Sequence, residues 1–215
     1  MSNDNYDNRR KTFEKWEILY GFRKSYINKL IFSGFISISI LLLIPIVKGE
    51  LDQETNWSKA QSFHEFHASN VEGNEVSMEK YKGHVVSVSN VATQGCAVSA
   101  KTLKILQTLQ DRYSESDGLK VAIFVVDGMV KSSGTNEEIK EFFKNQGSTY
   151  DVYGKIESGG DNAHPIFKWL GAQAGLDKVP IATKFLIGKD GQFLTKIDFN
   201  AKADIVENTL KQYLI

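Results

Sequence analysis

"VVSVSNVATQGCAVSAK", Val85 to Lys101, decides how this chain is read. Its first half alternates around β-branched residues, with Val86 and Val88 on one face, and predicts a strand over Val85 to Val91. Its second half opens a helix. Ser99 is placed as the N-cap, and Leu103, Leu106, Leu109 and Tyr113 follow at three- and four-residue spacing as a core stripe. Gly118 ends the unit. Between strand and helix stands Cys96, the single cysteine among 215 residues. A thiol ahead of a helix N-terminus sits near the positive end of the helix dipole, which favours a thiolate. Against that, free cysteine is also a common buried hydrophobe.

Working outward, "FHEFHASNVEGNEVSMEKYKGHVV" predicts a small hairpin turning at Glu72-Gly73-Asn74. "LKVAIFVV", Leu119 to Val126, is the continuous apolar run of a strand covered on both faces. Thr135 caps a helix through "TNEEIKEFFKNQG", and a further helix starts near His164, which caps or packs there. "TKFLIGKDGQFLTKI" is a hairpin closed by Asp190-Gly191. Ala203 to Leu214 completes an amphipathic helix with Ile205, Val206, Leu210 and Leu214 inward. Strand, helix, strand, helix, helix, hairpin, helix is an α/β order: a sandwich with a central mixed sheet flanked by helices, as in thioredoxin-like folds.

Charge narrows the partners. The chain carries 26 basic and 26 acidic residues, so no global field points to nucleic acid. One cysteine excludes an intramolecular disulfide and any multi-cysteine zinc site. His64 and His67 would lie on opposite faces of an edge strand, so no metal is assigned to them.

Residues 30–47, "LIFSGFISISILLLIPIV", hold no charge over about one membrane span. Arg23, Lys24 and Lys29 precede them, and the positive-inside rule leaves residues 1–29 as a cytoplasmic basic tail. The reading is therefore a transmembrane anchor at 30–47, a polar stem at 48–60 and a folded domain at 61–215. The domain is expected on the lumenal side of the endoplasmic reticulum or secretory pathway, or outside the cell. A cleaved signal peptide, leaving a secreted domain, is the alternative. Asn56-Trp57-Ser58 is a possible glycosylation acceptor in either case.

Taken together, the blocks from about Phe63 to Leu214 resemble the glutathione peroxidase family. "VSMEKYKGHVVSVSNVAT" is similar to the family's opening strand and its approach to the active site. "GTNEEIKEFF" and "GDNAHPIFKWL" are similar to its middle helices, and "TKFLIGKDGQ" to its closing hairpin. The layout of basic tail, span and domain resembles the family's endoplasmic-reticulum anchored branch. The resemblance implies a thiol peroxidase that reduces hydrogen peroxide or organic hydroperoxides, in response to oxidative stress. Glutathione or another thiol, small or on a redox protein, would be co-substrate, with no prosthetic cofactor. Oligomeric state stays open.

The family's motif runs asparagine-valine-alanine-x-x-cysteine-glycine, whereas here Asn90-Val91-Ala92-Thr93-Gln94-Gly95-Cys96 puts the cysteine one residue late. Counted from Cys96, the family's apolar helix positions fall on Leu103, Leu106, Leu109 and Tyr113. Counted from Gly95 they fall on Thr102, Ile105, Thr108 and Arg112. Gly95 is therefore read as an inserted residue and Cys96 as the retained nucleophile, because an extra loop residue is tolerated more readily than a shifted helix register. Its implied partners are missing. Gly128 stands where the family has glutamine, and Pro180 and Ile181 where it has tryptophan and asparagine. Asp127 replaces an asparagine and is expected to oppose a thiolate as a like charge. The expectation is thus an impaired peroxidase acting through Cys96. The alternative is a pseudoenzyme, a membrane-anchored binding or scaffolding module.

Overall fold

The computed structural model describes residues 56–115, 118–129 and 131–214. The tail, the span and most of the stem expected at 1–55 lie outside the described residues. Among those described, no helix is long and apolar enough to cross a membrane.

A short 3-10 turn, Phe63–Glu65, leads into the antiparallel pair β1 (His67–Ser69) and β2 (Glu75–Ser77). A second 3-10 turn spans Met78–Tyr81. Then follow β3 (Val85–Val91), α1 (Ala97–Tyr113), β4 (Leu119–Val125), α2 (Asn136–Asn145) and β5 (Asp151–Lys155). The chain closes with α3 (Pro165–Gln173), β6 (Lys184–Ile187), β7 (Phe193–Ile197) and α4 (Ala203–Lys211).

The five-stranded sheet is ordered β5-β4-β3-β6-β7. β3 pairs in parallel with β4 along its whole length and antiparallel with β6, which makes it the central strand, buried throughout. Strand alternation divides the core. Val86 and Val88 face Phe124, Phe167, Trp169 and the N-terminal Phe63 and Phe66, so α3 covers one face. Val85 and Val91 face the other, where α1, α2 and α4 pack through Leu106, Leu109, Ile139, Phe143, Val206 and Leu210. Phe124 ties the first face together, stacked on Tyr153 at 4.5 Å and edge-on to Phe167 at 5.4 Å. Beside it, buried Tyr81 donates to Asp151 (2.8 Å) and lies 2.7 Å from the Tyr153 hydroxyl. Burial pushes both phenols up.

Helix α2 carries the expected Thr135 cap as a full capping box with Glu138. His164 caps α3, its Nδ1 accepting from the Ile166 amide at 3.3 Å. Three expectations need correction. Strand β5 was not anticipated: "DVYGK" holds Asp and Gly, and its pairing with β4 supplies what local pattern does not. Ile205 is 51% exposed, because α4 aligns its inward stripe on Val206 and Leu210, a step of four, with Leu214 buried beyond the helix end.

The third correction concerns Ser99. Helix α1 begins at Ala97 with Cys96 as N-cap, and Ser99 is buried in the first turn. Its Oγ instead accepts from the Ala92 amide at 3.0 Å and so holds the end of β3 to the helix. Ser99→Ala leaves that buried N–H without its acceptor, an expected loss of about 1–3 kcal/mol. Urea unfolding measures it: the midpoint should fall with the m-value unchanged.

Candidate active site

Both sides of the Cys96 loop are pinned. The Thr93 amide donates to Ser133 Oγ (3.1 Å), and Thr93 Oγ1 donates to the Ser133 carbonyl (3.0 Å). On the helix side the Ala100 amide donates to the Cys96 carbonyl (3.1 Å). Gln94, Gly95 and Cys96 make the excursion between these anchors. Gly95 has φ +66°, and a Cβ there would find only Lys131 Cβ, at 3.6 Å. Backbone conformation, not lack of room, is what glycine supplies. A residue read as inserted there is compatible with an unmoved helix stripe: Leu103, Leu106 and Leu109 are all buried.

Cys96 is half-buried at the N-cap, with extended backbone and no side-chain capping bond. It opens on a cleft of about 990 Å³. Pro180 and Ile181, two of the three positions expected to have lost family partners, lie on the wall of that cleft. Gly128 does not, although Asp127 and Met129 on either side do. Gly128 donates to the Lys131 carbonyl at 3.0 Å, and a Cβ on it would stand 3.0 Å from that oxygen and 3.4 Å from the Gln94 carbonyl. The loop has closed over the place a longer side chain would leave from.

Asp127 is not a bare charge facing the thiol. Its carboxylate accepts from the Ser133 amide and Ser132 Oγ, each at 2.8 Å, and Lys155 Nζ lies 3.4 Å away. The Ser133 amide chiefly holds it below the usual carboxylate range. The expected like-charge opposition is therefore offset, because the carboxylate is partnered within its own loop by Ser132 and Ser133 and from the end of β5 by Lys155.

Next to Ile181, Ala182 is the one non-glycine with positive φ (+68°) among the described residues. It is fully buried, and its amide donates to the Asn90 carbonyl at 2.7 Å, which holds the strained backbone in place. Next along, Lys184 is fully buried, its ammonium donating to the Ala182 carbonyl at 2.8 Å. Burial lowers it to about 8.

The other nominated side chains lie elsewhere. His64 is buried in the first 3-10 turn, and His67 starts β1 exposed. Asn56 is exposed, its side-chain oxygen accepting from the Ser58 amide and hydroxyl. Sequence reasoning missed Lys155, Ser158, Lys178, Met129 and Phe199 on the cleft wall. Ser158 comes from the loop after the unanticipated β5, so no motif pointed to it. Met129 is 98% exposed and Phe199 41%, an apolar rim that only the fold assembles.

Fold and site together define a thioredoxin-like domain with one thiol at the head of its first core helix. The fold is shared with a thiol:disulfide interchange protein of the thioredoxin family from Chlorobium tepidum TLS (TM-score 0.52, 18% identity, 73% of this chain and 99% of that one). The chain belongs to the glutathione peroxidase family, whose model matches residues 63–171. It is 34% identical over 167 residues to the phospholipid hydroperoxide glutathione peroxidase of Callithrix jacchus, covering 74% of this chain and 84% of that protein. With the Rattus norvegicus protein of the same description it is 33% identical over 181 residues, 80% and 91% of the two chains. Among solved structures, Trgpx in its apo form matches with TM-score 0.56 at 27% identity, over 72% of this chain and 97% of that one.

Proposed function

We propose that the domain is a thiol peroxidase, weaker than its relatives, that reduces hydroperoxides through Cys96 with an external thiol. One observation carries this reading: the only thiol stands half-exposed at an uncapped helix N-terminus, on the wall of a cleft large enough for an organic hydroperoxide. The first-turn amides of α1 lack intrahelical partners and are available to a sulfur carrying negative charge. In the first step the sulfur bonds the terminal peroxide oxygen, the O–O bond breaks, and an alkoxide leaves to take a proton from water. Cys96 is then a sulfenic acid. One external thiol displaces water to form a mixed disulfide, and a second restores the cysteine. With a single cysteine in the chain, both thiols come from outside.

Weakness follows from what stands beside the sulfur. Pro180 and Ile181 offer it no side-chain donor, and Gly128 is folded away. Preorganised donors are commonly worth about a hundredfold each. The same apolar wall, with Met129 and Phe199 at its rim, favours the second reading, a binding module that has kept the peroxidase fold.

Membrane anchoring through residues 30–47, a lumenal or extracellular domain, a role in oxidative stress and glycosylation at Asn56 belong to the proposal. Support for the first two is the uncharged run and its basic flank; for the last it is the exposed Asn56-Trp57-Ser58 turn.

Full chain given hydroperoxide and glutathione should consume peroxide and form a trappable sulfenic acid at Cys96, and Cys96→Ser should abolish both. Consumption equal to that of the serine variant, with nothing trapped, leaves the binding module as the function.

A further inference from the structure

If Cys96 reduces hydroperoxides, something must stabilise the alkoxide as it departs. Among the described residues lining the cleft, only Lys155, Ser158 and Lys178 have an N–H or O–H side-chain donor. Lys155 is paired with Asp127. Lys178 is exposed on a flexible stem. Ser158 is different, because it is held from behind.

The support comes from Asn90. It follows Val86 and Val88 on the same face of β3 and is fully buried where that strand approaches the Cys96 loop. Its Nδ2 donates to Ser158 Oγ at 3.1 Å. A serine oxygen that accepts one hydrogen bond still has its own proton to give, and polarisation strengthens that donation. The Asn90 Oδ1 is buried with no partner. Ser87 Oγ and Gln110 Oε1 share that state, so it is the Nδ2 bond that ties Asn90 to Ser158.

We propose that Ser158 is a catalytic hydrogen-bond donor to the leaving oxygen of the hydroperoxide, with Asn90 as its positioning residue, in place of the absent glutamine, tryptophan and asparagine side chains. The inference rests on the peroxidase reading. As the sulfur–oxygen bond forms and the O–O bond breaks, charge gathers on the departing alkoxide. The Ser158 hydroxyl donates to that oxygen until water supplies the proton. The peroxide is reduced by two electrons and Cys96 oxidised by two.

The test separates donation from mere placement of the sulfur. Two second-order rate constants are measured on the full chain: oxidation of Cys96 by cumene hydroperoxide, and its alkylation by iodoacetamide. Alkylation uses the same thiol, but its iodide leaving group needs no donor. Ser158→Ala should slow oxidation about 10- to 100-fold and leave alkylation within about twofold, while Ser158→Thr, which keeps the hydroxyl, should oxidise near the wild-type rate. Oxidation of Ser158→Ala at the wild-type rate overturns the role of Ser158 alone. A parallel fall in alkylation also overturns it, by showing a structural effect. A wild-type chain whose Cys96 forms no sulfenic acid with peroxide overturns this inference together with the peroxidase reading.

Discussion

Gly191→Ala is expected to destabilise the domain by about 2–4 kcal/mol, from the left-handed conformation and the steric overlap together. Gly191 turns the β6–β7 hairpin with φ +83°. An added Cβ would stand 2.1 Å from Ser62 Oγ and 2.7 Å from His64 Nδ1. Those atoms cannot all retreat. The Gly191 carbonyl accepts from the Phe63 amide at 2.9 Å, and His64 is buried, so the hairpin tip and the first 3-10 turn are clasped together. Gly73 provides the control. Its φ is +80°, yet a Cβ there meets nothing within 4 Å. Gly73→Ala should therefore cost only the backbone part, about 1 kcal/mol. The difference between the two variants in urea unfolding isolates the clasp. Equal losses would show that the turn conformation accounts for everything and that the clasp contributes nothing.

Acid is expected to weaken the fold through His164. Burial lowers its imidazole to about 4 from an ordinary 6.5. Protonation is thus easier in the unfolded chain, so the folded state gains its full advantage above pH 6.5 and loses it as pH falls toward 4. The whole interval is worth up to about 3 kcal/mol. Geometry agrees with the sign: Nδ1 accepts from the Ile166 amide, a bond that protonation there would remove, and the ring packs against Phe124 at 6.2 Å. His164→Asn keeps a capping oxygen and removes the titration. Its unfolding free energy should vary much less between pH 6.5 and 4. The remaining slope there belongs partly to His64, also lowered by burial. Glu207, held near 2 by Tyr113, Arg112 and Lys211, adds its loss as pH falls from its ordinary 4.5 toward 2. A variant as acid-sensitive as the wild type would show that His164 does not carry the effect.

Much of the fold was legible because burial imposes periodicity. Val85 to Val91 and Leu119 to Val125 are strands covered on both faces, marked in the first by β-branched valines and in the second by a near-continuous apolar run. The Leu103, Leu106 and Leu109 stripe and the Thr135 and His164 caps are local signals, written within one helical turn. Asp190-Gly191 announces its hairpin for the same reason. Strand β5 was not legible, since an edge strand of five residues takes its stability from a partner distant in sequence. The role of Ser99 was misread because a serine near a helix start can bond forward to its own helix or back to another segment. Here the Ala92 amide lies nearer to hand.

The sequence by itself determined the α/β order apart from β5, the family and the position of Cys96 ahead of α1, and it raised the expectation that the usual neighbours of Cys96 are missing. Only the tertiary structure decided where those positions lie relative to the thiol. Gly128 is sealed against two carbonyls, while Pro180 and Ile181 remain on the cleft wall, and Asp127 is partnered by Lys155. Ser158 reaches the cleft through β5, backed by an asparagine 68 residues earlier. Periodicity and caps depend on neighbours within a few residues, so a linear pattern carries them. A site depends on which distant loops converge, and that convergence is set by strand pairing and packing across the whole sheet.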